Sequence, residues 1–442
     1  MIFCDLTRAQ PAVAALLLLV PVGAVVAAPT FRHAGSARAR YEALSGQSRA
    51  GFKAADELMS FRTIVGGELD TGVFRFGAEL TDSRAYLADR NTAVSNTEVN
   101  ALEPSELYVG ADFEEFGAQA GRFKMNIGSR RLVSSDDYRN TGSSVTGVRL
   151  DGRVAGGWSG TAWYVLPDVR LPDDIDSILD NDIRLDTASG HAVLWGGIVT
   201  SPRRIAGGAM DLTYVKFRES DAPGRPTRDR DLDTWSLRWF RDAAPGRWDY
   251  EFETMRQGGR SRTGTAASAA LRTVDATFHH VRIGYQWDAP WKPRVAAEYD
   301  RSSGDSGSDR IRRFDTLQGS RRPDLAPSGL YGQIARANIS APGVRLELTP
   351  NARTDVMATW KWLYLASRTD SFSTTGVRDA TGRSGNHAGE QLDVRARYWL
   401  VPKTLRFEFD GVVLFKGRFL ETAPNARPGD TRFYSLNLTY SF

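Results

Sequence analysis

Apolar and polar residues alternate at every second position along most of this chain, and that constrains its fold more than anything else in it. Phe74, Phe76, Ala78 and Leu80 interleave with Arg75, Gly77 and Glu79, and Val281, Ile283, Tyr285 and Trp287 with Arg282, Gly284 and Gln286. Leu392, Val394, Ala396, Tyr398 and Leu400 alternate with Asp393, Arg395, Arg397 and Trp399. A period of two sends successive side chains to opposite faces of a strand, so each segment carries one oily and one charged face. Helical spacing is absent over any long stretch. Past the N-terminus no run of about 18 apolar residues offers a helical membrane span. The mean hydropathy is −0.37 although aromatics make up 10% of the chain. Such a balance fits a soluble β protein or a membrane barrel, and the consistent split of the two parities favours the barrel.

The connections alternate too. Long polar segments near 45–60, 81–105, 129–144, 167–189, 218–232, 257–270, 301–328, 367–389 and 417–430 are separated by brief turns such as GGELDT, EEFG, DAAPG and VPK. This layout predicts about eighteen strands, taking Leu330–Leu348 as one strand with a bulge at Pro342-Gly343. The chain ends in TRFYSLNLTYSF, with Tyr434, Leu436, Leu438, Tyr440 and Phe442 on one face. Trp158, Trp248, Trp291 and Trp399, near strand ends, suit interfacial girdles. The expected fold is all-β: a transmembrane antiparallel β-barrel with long extracellular loops and short periplasmic turns. Hydrocarbon offers backbone groups no water to bond, so only a closed sheet satisfies them all.

Residues 1–28 read as a signal peptide, with Arg8 before PAVAALLLLVPVGAVVAA, leaving 29–442 as the barrel. Cys4, the only cysteine, falls within that signal, so the mature chain has no disulfide and no cysteine-ligated metal. The net charge of +4 says little about partners, yet 50 of the 57 basic residues are arginine. Catalytic signals are weak: GDSG at 304–307 sits in a loop rich in Ser, Gly and Asp, and the five histidines form no zinc-type pair. The reading is therefore not an enzyme, with no cofactor, no metal and no nucleic-acid partner.

The inward parity collects Arg75, Arg122, Lys124, Arg149, Arg238, Arg282, Arg294, Arg345, Lys361, Arg395, Arg397 and Arg406 against Glu79, Asp151, Asp393, Glu408 and Asp410. Guanidinium forks onto carboxylates, so a lumen lined this way draws in and passes anions, provided each site holds them weakly. In GRFKMNIGSRRLVSSDDYRNTGSSVTGVRLDG, from Gly121 to Gly152, the expected hairpin turns Phe123, Met125, Ile127, Val148 and Leu150 to lipid and Arg122, Lys124 and Arg149 to the channel. Its tip, with Arg139 and Asn140, belongs at the mouth or folded inward. The seven aspartates of 167–186 lack the EF-hand pattern and read as a solvated loop able to fold over a basic lumen.

Several stretches resemble the alginate export family of outer-membrane barrels: GRFKMNIGSRRLV with DYRNT and TGVRLDG, AAEYDRSSGDSGSDRIRRFDTLQGSRR, GEQLDVRARYWL, TLRFEFDGVVLFKGRFL and the aromatic terminal strand. The resemblance implies eighteen strands around an arginine-lined constriction that passes a polyuronate, and it marks Arg122, Arg131, Glu390, Asp393 and Arg406 as path residues. With Lys124, Arg139, Arg149, Arg395 and Arg397 these form the expected substrate path. Expected partners are an anionic polysaccharide or small anionic solutes, outer-membrane lipid and periplasmic export components. The alternative function is a general anion-selective porin for small nutrients.

Overall fold

The computed structural model describes residues 28–136, 138–307 and 309–442; all of the signal expected over 1–28 except Ala28 lies outside them. The alternating segments form eighteen strands. The first nine are β1 (Thr30–Ser45), β2 (Ala55–Asp70), β3 (Phe74–Tyr86), β4 (Asn100–Asp112), β5 (Phe116–Lys124), β6 (Ser144–Val154), β7 (Trp158–Pro167), β8 (Ala192–Thr200) and β9 (Ala209–Glu219). The rest are β10 (Asp231–Arg241), β11 (Arg247–Arg262), β12 (Leu271–Gln286), β13 (Arg294–Ser302), β14 (Ile339–Asn351), β15 (Thr354–Tyr364), β16 (His387–Val401), β17 (Leu405–Lys416) and β18 (Thr431–Ser441).

Each strand pairs antiparallel with its neighbours in sequence, and β1 pairs with β18, so the sheet closes without an edge. Closure is what lets a sheet sit in hydrocarbon with every ladder bond made. On β18 the outward Tyr434, Leu436, Leu438 and Tyr440 are exposed, while Phe433, Ser435 and Asn437 between them are buried. The same parity runs around the barrel. Nine long connections, L1 to L9, lie at one end and eight short turns at the other. L3 (125–143), L4 (168–191), L5 (220–230), L7 (303–338), L8 (365–386) and L9 (417–430) matter below; a short helix, α1 (Ile175–Leu179), lies in L4 and another, α2 (Arg418–Thr422), in L9.

Three expectations are corrected. Residues 330–338 belong to L7 rather than to a long strand, and no register shift occurs at Pro342-Gly343. Trp399 points into the lumen, where the Arg406 guanidinium lies 5.5 Å from its ring centre. Phe123, Met125 and Ile127 do not face lipid: they are 1%, 2% and 7% exposed and pack inside the barrel with Val165, Leu194, Phe217 and Phe278. The reason is that the long loops fold into the lumen. L3 contributes Leu132 and Val133 to this apolar cluster, and L7 contributes Ile311 and Phe314. A second cluster joins Leu325, Leu330, Tyr331 and Ile334 of L7 to Phe372 of L8, Phe419 of α2 and the wall residues Leu44, Leu58 and Phe433.

Turning Phe123 inward reverses the parity expected for β5, and Gly121 lies tight against Leu107 and Tyr108 of β4. Its φ of +124° is one that side chains avoid, and a Cβ there would collide with the Leu107 carbonyl. Gly121→Ala should therefore cost about 1–3 kcal/mol and lower the fraction of folded, heat-modifiable barrel on electrophoresis. An unchanged fraction would show that this glycine is dispensable.

Candidate functional site

Charge is distributed unevenly around the lumen. On β9–β13 the inward acids Asp211, Asp249, Glu251, Glu253, Glu298 and Asp300 are all held by cations. Arg238 reaches Asp211 and Glu251 at 3.1 and 2.8 Å, Arg294 forks onto Asp249, and Lys361 meets Asp300 at 2.8 Å. Across the barrel, β16 and β17 and, on the far side of β18, β1 and β2 carry Arg395, Arg397, Arg406, Arg38, Arg40 and Arg62 on their inner faces. Arg395 and Arg397 share Asp355, at 3.8 and 2.8 Å, and Arg406 lies 3.6 Å from Glu408. These three side chains keep a quarter to a third of their surface in contact with water.

Higher up, the arginines meet the tip of L3. Arg40 donates to the Tyr138 carbonyl at 2.7 Å, and Arg38 and Arg62 donate to the Arg139 carbonyl at 2.8 and 3.1 Å. The Tyr138 ring lies between the guanidiniums of Arg40 and Arg322, 4.2 and 5.4 Å from its centre, an arrangement that cation–π attraction favours. Its hydroxyl donates to Asp410 at 3.2 Å. Burial, reinforced by the Asp410 charge, pushes this phenol well above its ordinary value, so it stays neutral. Arg322, on L7, bridges Asp393 at 2.9 Å and Asp410. Asn140 is fully buried and ties L3 to the wall, donating to the carbonyls of Phe61, Arg84 and Glu98.

L3 and L7 form one inserted body. Asp324 of L7 accepts two parallel bonds from Arg131 of L3, at 2.7 and 2.8 Å, and a further one from Arg336. Arg131 also reaches Glu251 and Glu253 on the wall, at 2.5 and 2.6 Å. Burial alone would raise the Asp324 carboxyl, but Arg131 and Arg336 beside it hold it well below the usual carboxylate range. Val133 pairs with Gln318 across the two loops, and Ser320 donates its amide to the Arg130 carbonyl at 2.9 Å.

The residues expected along the path thus separate into groups. Asp393, Arg395, Arg397 and Arg406 stand together on the inner face of β16 and β17, and Arg149 stands on the inner face of β6, paired with Asp151 at 2.8 Å. Arg131 and Arg139 belong to L3, the latter paired with Asp136 at 2.8 Å, and Lys124 meets Glu79. Two residues lie on the other side of the sheet. Glu390 is opposite the outward Trp362 and Phe415. Arg122 is opposite the outward Leu107, under L4, where Glu103, Asp168 at 2.6 Å and Asp186 at 3.4 Å surround it. Burial raises the Asp186 carboxyl to about 7, with Glu103 adding to the effect and Arg122 opposing it. The other acids of 167–186 meet arginines or cap α1: Asp174 accepts from the Ser177 amide, and Asp176 meets Arg90.

Arg38, Arg40 and Arg62 were not among the residues expected from the sequence. The signal for the first two is ARARYEAL, in which Arg38, Arg40 and Glu42 alternate with Ala39, Tyr41 and Ala43. Small alanines in place of bulky apolar residues weaken that pattern.

A model of the alginate export family matches residues 32–433. The chain belongs to that family. No curated protein matches it. Among solved structures it is similar to OccK2 (OpdF) of Pseudomonas aeruginosa, with a TM-score of 0.59 at 13% identity, covering 93% of this chain and 97% of that one. OccK8 (OprE) of the same organism gives 0.59 at 13%, covering 93% and 98%. OccK2 has also been solved in complex with glucuronate, and that structure matches with a TM-score of 0.58 at 12% identity, covering 93% and 96%. At these identities the likeness speaks for the fold alone. Family and fold are those of an outer-membrane channel, which sets the long loops outside the cell and the turns in the periplasm.

Proposed function

We propose that this alginate-export-family barrel passes an anionic polysaccharide of the polyuronate type through the outer membrane by passive, electrostatically guided diffusion. The observation that carries the reading is the gathering of Arg38, Arg40, Arg62, Arg395, Arg397 and Arg406 on the inner faces of β1, β2, β16 and β17, with Arg322 of L7 beside them. There they outnumber the inward acids Glu42, Asp393, Glu408 and Asp410, while every inward acid named on β9–β13 is already paired. Guanidiniums sharing acceptors hold an incoming carboxylate loosely and hand it on, as a conducting path requires. No chemical step is involved, so the protein acts as a channel and not as an enzyme. The N-terminal 28 residues serve as its export signal.

The inserted L3–L7 body gives specific support to the second reading, a porin for small organic anions, because it narrows the lumen. The glucuronate complex of OccK2 fits that reading too. Both readings require anion selectivity. In planar bilayers under a KCl gradient, the reversal potential should carry the sign of chloride permeation. Cation selectivity would overturn both.

A further inference from the structure

We infer that the outer wall carries a binding site for a phosphomonoester-bearing lipid of the outer leaflet, formed by Arg256 on β11 and Arg301 on β13 at the head of a lipid-facing groove. Both side chains stand on the outward parity of their strands and are exposed. They flank β12, opposite Thr277 and His279, which sets their Cα atoms about 12 Å apart by strand spacing. Two arginines at that separation can reach one ligand between them. Arg310 of L7 joins them, and Asp275 on β12 meets Arg256 at 3.2 Å and Arg310 at 3.6 Å. The neighbouring acids of β10, Asp231 just after L5 and Asp233, are already held by Lys216 at 2.5 and 2.9 Å.

Height decides what such a patch meets. Arginine is tolerated on the lipid face only near an interface. On β11 the outward side chains run Trp248, Tyr250, Phe252, Thr254 and Arg256 upward from the periplasmic turn. At a tilt of about 40° Arg256 starts about 20 Å above Trp248, and its long stem carries the guanidinium to the edge of an apolar band about 25 Å tall. Just below, the Thr254 hydroxyl and His279 Nδ1 lie 3.0 Å apart. They close the upper end of an open groove of 450 Å³, lined by Met210, Leu237, Phe252 and Val281. An acyl chain in that groove brings its head group to the arginines. Guanidinium forks onto phosphate. Arg256, Arg301 and Arg310 outnumber Asp275, so a phosphomonoester, with about two negative charges at neutral pH, suits them better than a phosphodiester with one. A free anion would use the arginines and leave the groove empty of purpose.

The readout is lipid binding and not conduction, so the site stands or falls apart from the transport reading. The detergent-solubilised full chain is titrated with lipid A, which carries phosphomonoesters, with the same lipid dephosphorylated and with phosphatidylglycerol, and bound lipid is counted by native mass spectrometry. Lipid A should bind about tenfold or more tightly than either of the others. Arg256→Gln with Arg301→Gln should cost lipid A about tenfold or more, and each single change a smaller loss. Arg32→Gln, at an exposed position on the periplasmic end of β1, should cost nothing. Both arginines are exposed, so the double variant should keep its heat-modifiable mobility. Excess inorganic phosphate should not displace the lipid. Equal binding of the dephosphorylated lipid, undiminished binding by the double variant, or displacement by phosphate alone would overturn the site.

Discussion

Asp324→Ala should open the channel. The carboxylate is buried between Arg131 of L3 and Arg336 of L7, accepting two parallel bonds from the first and another from the second. Removing it leaves the Arg336 guanidinium without a carboxylate in a site that water does not reach and takes from Arg131, which keeps Glu251 and Glu253, its tie to L7; breaking a buried pair of this kind typically costs about 3–5 kcal/mol. The barrel wall does not depend on this contact, since its ladder closes through β1 and β18. The loss should fall on the docking of L3 against L7. Single-channel conductance should rise several-fold, protease should cut within L7, and the barrel should keep its heat-modifiable mobility. Unchanged conductance and protection would mean that the loops are held by their apolar clusters alone.

The same latch predicts a pH response. A carboxyl held below its unfolded value gives stability that is complete above an ordinary aspartate pKa of about 3.9 and is lost as pH falls through the lowered value. Asp324 lies well below that range, with its two arginines outweighing burial. Conductance should therefore stay flat from neutral pH down to about 4 and rise only in stronger acid.

The second large effect concerns Arg395 and Arg397. Both are partly exposed to lumenal water and share a single acid, Asp355. Arg395→Glu with Arg397→Glu changes the charge by four at one level of the lumen, with little cost to folding because pairs open to lumenal water contribute little. Anion preference at low salt should fall at least about fivefold, or reverse, since the Debye length there is about 10 Å; at 1 M, where it is about 3 Å, the difference should nearly vanish. Reversal potentials at the two salt levels check this. A shift that persists undiminished in high salt would point to altered pore shape rather than charge.

Much of the barrel was legible because lipid on one side and water on the other impose a period of two. Both the eighteen strands and the split into long and short connections follow from it. The inserted loops were not legible, because an apolar wall residue facing a plug looks the same in sequence as one facing lipid. Phe123, Met125 and Ile127 alternate as lipid-facing residues would, yet Phe123 on β5 faces the inserted loops, and Met125 and Ile127 already belong to L3 and pack inside the barrel with it. Glu390 was placed on the path by family pattern, although it shares parity with Leu392 and Val394, which face outward. Arg38 and Arg40 show the converse: their alternation was present, but apart from Tyr41 its outward partners are small alanines. The ionic latch of Arg131 with Asp324 joins residues nearly two hundred positions apart, beyond the reach of any local pattern.

The most direct test of the transport claim is current through single reconstituted channels with polyuronate of graded length added on the periplasmic side. The account predicts block events that occur only when the field drives anions outward, that lengthen with the polymer and that weaken in the Arg395→Glu, Arg397→Glu protein. A channel that carries chloride but is indifferent to polyuronate of every length would contradict it.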